Sequence, residues 1–234
     1  MKLVDVFSHR NGLDILQSPR FGPSFEEFKG VLARLPVFRS ARTKKSSPEH
    51  VVAPGAMNQW LDNELCIVRD WDWHPLIIES DPTDTTRKSL LRSDFRKDRI
   101  EVEVQFGNVA RYAYDVYKMA IAMALEHSDV GIMVVCMKRF AGITGGNIAY
   151  FERAVRELEQ SRLTLIVPLV VIGIEPETWI TDGFLPEHSA PRATAEMINA
   201  ARRRRGEQPV VPDGEELESS WSVPKLEQLV KHLA

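Results

Sequence analysis

Residues 94–108 read Asp94-Phe95-Arg96-Lys97-Asp98-Arg99-Ile100-Glu101-Val102-Glu103-Val104-Gln105-Phe106-Gly107-Asn108, and their pattern decides the fold. Ile100, Val102, Val104 and Phe106 alternate with Glu101, Glu103 and Gln105, the period of two that marks a β-strand over 99–106. One face is apolar. The other carries two carboxylates and an amide, neighbours roughly 7 Å apart along the strand. Acids that close repel and favour neutrality unless a cation neutralises them. Asp94 lies nine residues before Glu103. A turn that set the two side by side would gather two hard oxygen ligands at one strand end, the donor set Mg²⁺ takes while keeping positions for water and phosphate. Taken alone, the same strand also reads as an amphipathic surface strand with solvated acids.

Working outward, residues 109–126 form an Ala-rich helix, 129–137 a buried strand, 150–162 a helix and 163–174 an apolar strand. Short uninterrupted apolar runs suit interior strands covered by helices on both faces. The expected fold class is therefore α/β, with a central sheet flanked by helices. Upstream, residues 2–7 alternate as a strand and Asn11-Gly12 marks a turn. Ser24 and Glu27 make a capping box for a helix over 25–35. Residues 39–55 read as an exposed basic loop, 56–67 as a helix and 69–75 as a Trp- and Asp-rich turn. Downstream lie a helix at 193–205, an acidic linker and a last helix near 224–233. The pattern divides the chain into a core over 1–180 and a distinct segment over 181–234.

Thirty Lys and Arg against 33 Asp and Glu give a net charge of −3, with 44% hydrophobic residues over 234 positions. This excludes wholesale disorder and polyanion binding through overall charge. No run of 18 apolar residues would span a membrane, and the start lacks the apolar stretch of a signal peptide. Two cysteines, Cys66 and Cys136, leave no disulfide framework and no Cys-x-x-Cys metal knuckle. A cytoplasmic protein with reduced thiols is the expectation. Hydrolase G-x-S-x-G, zincin, P-loop and EF-hand motifs are absent from the sequence.

The near-neutral total hides three basic clusters. Residues 87–99 hold six basic and two acidic side chains, with Arg96 and Lys97 beside Asp94. Arg39, Arg42, Lys44 and Lys45 form the second cluster and Arg202–Arg205 the third. Each alone reads as a solvated loop or a favourable helix C-terminus. Around an acidic pocket, they suggest a cleft that grips phosphates on one face.

The segment 94–108 resembles the active-site strand of the BglII and BstYI type II restriction endonucleases, a variant of the PD-(D/E)XK nuclease motif. The segments VDVFSHRNGLDILQ, ARTKK, AMNQW, AYDVYKM, DVGIMVVCMK and PLVVIGIEP resemble that family in the same order. The likeness covers most of residues 1–175, looks closer to BstYI, and fades beyond about 180. It implies a restriction-endonuclease-like core with dimerisation helices, at 56–67 and 109–126. It also implies that Asp94 and Glu103 bind Mg²⁺. Gln105 would stand where the commoner motif has Lys. A Gln cannot take a proton, so it could only orient the attacking water, leaving metal-bound hydroxide, solvent or the substrate's phosphate as base. An upstream polar residue is expected as well; His74 falls nearest its place, with Asp72 and Glu79 as competitors. Glu101 has no equivalent ligand role.

For base reading, the resemblance points to Asn108 and to the loop Gly142-Ile143-Thr144-Gly145-Gly146-Asn147, in particular Thr144, Gly146 and Asn147. Asn pairs one donor and one acceptor in the geometry that reads adenine in the major groove. Without the resemblance, that loop is an ordinary strand–helix turn. Arg42, Lys44, Lys45, Arg96 and Lys97 are the expected phosphate contacts. The resulting expectation is a homodimeric, Mg²⁺-dependent endonuclease that cuts double-stranded DNA at a short palindrome with a GATC core. Two other readings stay open: a catalytically silent DNA-binding protein of the same fold, and an unrelated α/β interaction scaffold.

Overall fold

The computed structural model describes residues 1–39, 52–78, 91–161, 166–177, 185–186, 199 and 203. Arg42, Lys44, Lys45, Glu79, most of the expected helix at 193–205 and all of 204–234 lie outside the described residues.

The first strand, β1 (Lys2–His9), ends in a turn where Arg10 and Asn11 both take positive φ, 51° and 58°. Gly12 then opens the short helix α1 (Gly12–Leu16). A Cβ at this position would come within 2.7 Å of the Leu169 backbone, so only glycine lets the helix lie this close to the sheet. Helix α2 (Gly22–Arg34) starts earlier than the capping box implied. Ser24 sits inside the helix and donates to the Asp98 carboxylate, while Glu27 accepts from Trp71 Nε1 and Lys97 Nζ, both at 2.8 Å. The two residues read as a cap instead tie α2 to the strands around the site. A short β2 (Phe38–Arg39) leads to α3 (Pro54–Leu61), which continues as a π-turn over Asp62–Ile67.

Four short strands follow where the sequence showed only a turn and a basic run: β3 (Asp72–Trp73), β4 (Leu76–Ile78), β5 (Leu91–Arg92) and β6 (Phe95–Lys97). The expected strand is β7 (Ile100–Gln105), followed by α4 (Val109–Ala124) and β8 (Val130–Cys136). Then come α5 (Lys138–Thr144), α6 (Phe151–Ser161), β9 (Leu169–Glu175) and β10 (Leu185–Pro186).

Six strands make a mixed sheet in the order β1-β9-β8-β7-β6-β3. Its centre, β7, β8 and β9, is parallel, and β1, β6 and β3 extend it antiparallel on either side. Small pairs β4–β5 and β2–β10 lie apart. Side chains alternate between two hydrophobic layers. Ile132, Val134, Val170 and Ile172 pack with Phe25, Phe28, Leu32 and Phe140 from α2 and α5. Met133, Val135, Leu169 and Val171 pack with Val116, Met119, Ala154 and Leu158 from α4 and α6. This is the expected α/β fold, a mixed sheet flanked by helices. Among the described residues, no helix is long and apolar enough to cross a membrane.

Candidate active site

The site is set by a hairpin. Asp98 and Arg99 both lie in the left-handed region, φ 49° and 66°, as the two central residues of a tight hairpin turn must to match strand twist. The turn fixes the β6–β7 register: Lys97 faces Ile100, Arg96 faces Glu101 and Phe95 faces Val102. Continuing by one residue sets Asp94 across from Glu103. On the other side, Trp73 faces Phe95, and the His74 N–H donates to the Asp94 carbonyl at 3.0 Å. His74, Asp94 and Glu103 therefore form one rung across three adjacent strands. The spacing in the sequence is the spacing this hairpin converts into a pair. Asp72 sits one rung pair away, opposite Arg96.

The polar face of β7 is not a solvated surface. All six residues of the strand are buried, Glu101, Glu103 and Gln105 included. Each has a partner. Glu101 receives two guanidinium N–H bonds from Arg96, at 2.6 and 3.2 Å, and a short one from the Ser93 hydroxyl. Glu103 Oε1 lies 2.5 Å from Lys118 Nζ. The contact is a buried ion pair in which the ammonium faces the carboxylate directly. Gln105 donates from Nε2 to Asp115 Oδ2 at 2.5 Å, and its Oε1 accepts from the Gly107 N–H at 2.8 Å. Asp115 and Lys118 stand one helical turn apart on α4 and are themselves paired at 2.9 Å. The Asp94 carboxylate accepts from the Val104 N–H at 2.8 Å.

Burial raises the pKa of both Asp94 and Glu103. For Asp94, the Val104 N–H, Lys118 and His74 oppose that rise. Glu103 goes well above the usual carboxylate range, driven further by the charges of Asp94 and Asp115 and restrained by Lys118. For Lys118, burial works against the ammonium, but Glu103 and Asp115 outweigh it and the net shift is upward.

Two recesses open beside the rung. One, of about 240 Å³, is lined by Asn58, Gln59, His74 and Asp94. The other, of about 210 Å³, is lined by Asn58, Asp94, Glu103, Gln105, Arg111 and Lys118. Asn58, Asp94 and Val104 line both. Just past Gln105, the chain meets the loop at 145–148. The Val109 N–H donates to Asn147 O at 2.9 Å, and Asn108 bridges to Ile148. Asn108 Oδ1 caps α4 by accepting from Ala110 N at 2.9 Å and also accepts from Asn147 Nδ2 at 3.1 Å. Both lone pairs of that oxygen are occupied, so Asn108 holds Asn147 in place. Gly146 and Asn147 are exposed.

Other expected contacts point inward. Thr144 is buried, with Oγ1 donating to Phe140 O at 2.9 Å. Arg96 is committed to Glu101. Lys97 donates to Glu27 and to Arg69 O, and its ammonium lies 5.9 Å from the centre of the Trp71 ring. The basic run beside Asp94 thus braces the hairpin in this structure. Sequence reasoning missed Asp115 and Lys118, read only as part of an Ala-rich packing helix. The available signal was a D-x-x-K pair among the buried positions Tyr112, Val116 and Met119. Asn58 and Arg111, both exposed and lining the recesses, carried no signal at all.

Does this donor set fit a divalent ion? Among the described residues, no three His, Cys, Asp or Glu side chains converge as a ready-made cage. Mg²⁺ does not need one; one or two carboxylates suffice when water and phosphate complete the shell. Asp94 and Glu103 are such a pair, lining one recess together. Around Lys118, three carboxylates (Asp94, Glu103, Asp115) face one ammonium, leaving an excess of negative charge. The residues fit the ion.

The chain is matched by the family profile of restriction endonuclease BglII/BglIII over residues 4–174. Among solved structures, it is similar to the crystal structure of restriction endonuclease BglII complexed with a DNA 16-mer. That likeness has a TM-score of 0.61 and 20% identity, covering 77% of this chain and 81% of that one. Free BglII is similar too, with a TM-score of 0.56, 20% identity and coverage of 77% and 82%. No curated protein matches the sequence.

Two measurements follow from this geometry. Because the folded chain holds the Asp94 and Glu103 protons more tightly than the unfolded chain, ion-free stability falls as pH rises above the ordinary value of 4.5. Thermal melts in EDTA should show a midpoint that declines with pH through that window, and a flat or rising midpoint would contradict the assignment. Arg96→Met should cost about 3–5 kcal/mol in denaturant unfolding, because it strands a fully buried Glu101. A cost under about 1 kcal/mol would mean that the pair is not buried as described.

Proposed function

The chain belongs to the BglII/BglIII restriction endonuclease family, and from that premise we propose that it is a Mg²⁺-dependent type II endonuclease cutting double-stranded DNA at a short palindrome. The observation that carries this reading is the Asp94–Glu103 pair, joined by His74 on one rung and opening on two recesses.

Asp94 and Glu103 would hold the ion, which when bound supplies positive charge to the attacked phosphate and acidifies water. The chain's own groups do the rest. The hairpin register keeps the two carboxylates on one rung. His74 lines the recess beside Asp94, where it can hydrogen-bond a phosphate oxygen or water. Gln105, fixed by Asp115 and the Gly107 N–H, carries no titratable proton and serves to hold the strand end in register. Arg111, exposed at the mouth, offers a cation to the DNA backbone. Water adds to phosphorus in line with the departing sugar oxygen, and charge grows on the phosphate where these groups converge.

Base reading falls to Asn147, with Gly146 allowing close approach and Asn108 setting the amide's orientation. A GATC core and a closer kinship to BstYI belong to this proposal and rest on the sequence resemblance over most of residues 1–175. Arg42, Lys44, Lys45 and the segment over 181–234 are proposed to grip the DNA around a core that ends near residue 180, in a cytoplasmic enzyme.

A palindrome demands a two-fold axis, hence a homodimer. Helix α4 supports this. One side buries Val116 and Met119, while the other leaves Tyr114 and Tyr117 52% and 59% exposed, with Leu125 nearby. Their rings are 6.3 Å apart. A helix apolar on both sides is the kind that a partner covers.

Plasmid DNA incubated with Mg²⁺ should yield discrete fragments that EDTA suppresses, and sequencing their ends gives the site and stagger. A mobility shift without cutting would point to a silent binder. Asp94→Ala and Glu103→Ala should each abolish cleavage while binding in Ca²⁺ largely survives, and full cleavage by either variant would overturn the assignment. Asn147→Ala should weaken discrimination against mismatched sites by ~1–3 kcal/mol; unchanged discrimination would move base reading elsewhere. Tyr117→Lys should shift sedimentation from dimer toward monomer, and an unaltered dimer would place the interface away from α4.

A further inference from the structure

Lys118 is an odd residue for its position. It lies mid-helix, buried, with its ammonium pressed against the polar face of β7. Its three partners are all protein oxygens: Glu103 at 2.5 Å, Asp115 at 2.9 Å and the Arg92 carbonyl at 3.2 Å. An ammonium has three donors, so these contacts use its whole capacity. The side chain is therefore not a free hand for DNA; what it supplies is charge. Without it, Asp94, Glu103 and Asp115 would be three carboxylates packed together, with the exposed Arg111 at the recess mouth as the remaining α4 cation among the lining residues. Breaking a buried pair by removing one partner is strongly destabilising, because the other charge stays behind.

We propose that Lys118 is the cleft's built-in counter-ion: its ammonium is shared between Glu103 and Asp115 in the ion-free chain, and a divalent cation arriving at Glu103 competes with it for that carboxylate. The proposal rests on the metal-dependent reading given above. Two cations on one carboxylate repel, strongly so away from water. The side chain thus stabilises the empty fold and weakens ion binding at once. Asp115 gives the ammonium somewhere to stay, since it keeps that partner when Glu103 turns to the ion. Affinity for the divalent ion is set in part by a residue that is not a ligand.

The test uses the full chain and Ca²⁺ alone, followed by calorimetry and by thermal melts, for wild type, Lys118→Gln and Lys118→Arg. Lys118→Gln should melt lower than wild type in EDTA, bind Ca²⁺ about tenfold more tightly or better, and gain more degrees on saturation. Lys118→Arg keeps the charge and should follow wild type in all three. Equal or weaker Ca²⁺ binding by Lys118→Gln, with wild type binding normally, overturns this proposal and leaves the metal reading intact. Absence of Ca²⁺ binding by wild type overturns both. Should Lys118→Gln be unfolded in EDTA, folding on Ca²⁺ addition is the expected result, and failure to fold there counts against the proposal. An Arg variant that behaves like the Gln variant also overturns it.

Discussion

A two-residue turn at Asp98-Arg99 fixes which residues of β6 and β7 face each other, and the site depends on that register. Slipping it by one residue would turn Glu103 to the opposite face of the sheet, into the hydrophobic layer beneath α2. Several contacts hold it in place. Ser24 donates to Asp98, Arg99 forks onto Asp129 at 2.6 and 2.8 Å, and Lys97 reaches Glu27 on α2. Arg96 pairs with Glu101 across the hairpin itself. The basic residues that precede the strand are thus the clamps that keep Asp94 opposite Glu103. They act on function by holding geometry.

The second dependence is on α4. It follows β7 through a turn in which Asn108 caps the helix, and it returns over the strand's polar face, so Asp115 and Lys118 descend onto Gln105 and Glu103. The rest of the buried side of α4 is apolar and packs on the second hydrophobic layer. One helix therefore seals the sheet, sets an ammonium against the carboxylates and leaves a Tyr-bearing face outward. Burying like charges this way lowers the stability of the empty site, the kind of local conflict that marks functional positions.

Much of this was legible in the sequence. The strand over 100–105 and the order of helices and strands after it follow from period. The pairing of Asp94 with Glu103 comes from the resemblance of residues 94–108, since the spacing alone does not announce the hairpin that turns a nine-residue separation into a face-to-face pair. Taken alone, the acidic face read as solvated surface, since alternation cannot say whether a helix covers the second side. Lys118 and Asp115 were hidden for the same reason: their meaning lies in a crossover that packs α4 onto β7, a contact between distant residues. Ser24 and Glu27 fitted a capping box by spacing, but tertiary partners took both side chains. Arg96 and Lys97 read as phosphate contacts because charge in a sequence shows no direction, and here both point inward. Thr144 likewise closes on its own helix.

The central claim is that Asp94 and Glu103 together hold one divalent ion. Mn²⁺ binding followed by electron paramagnetic resonance tests it without relying on cleavage. Wild type should bind one ion per chain at this site, and Asp94→Asn and Glu103→Gln should each lose it while remaining folded by circular dichroism. Full retention of that ion in either variant would contradict the account.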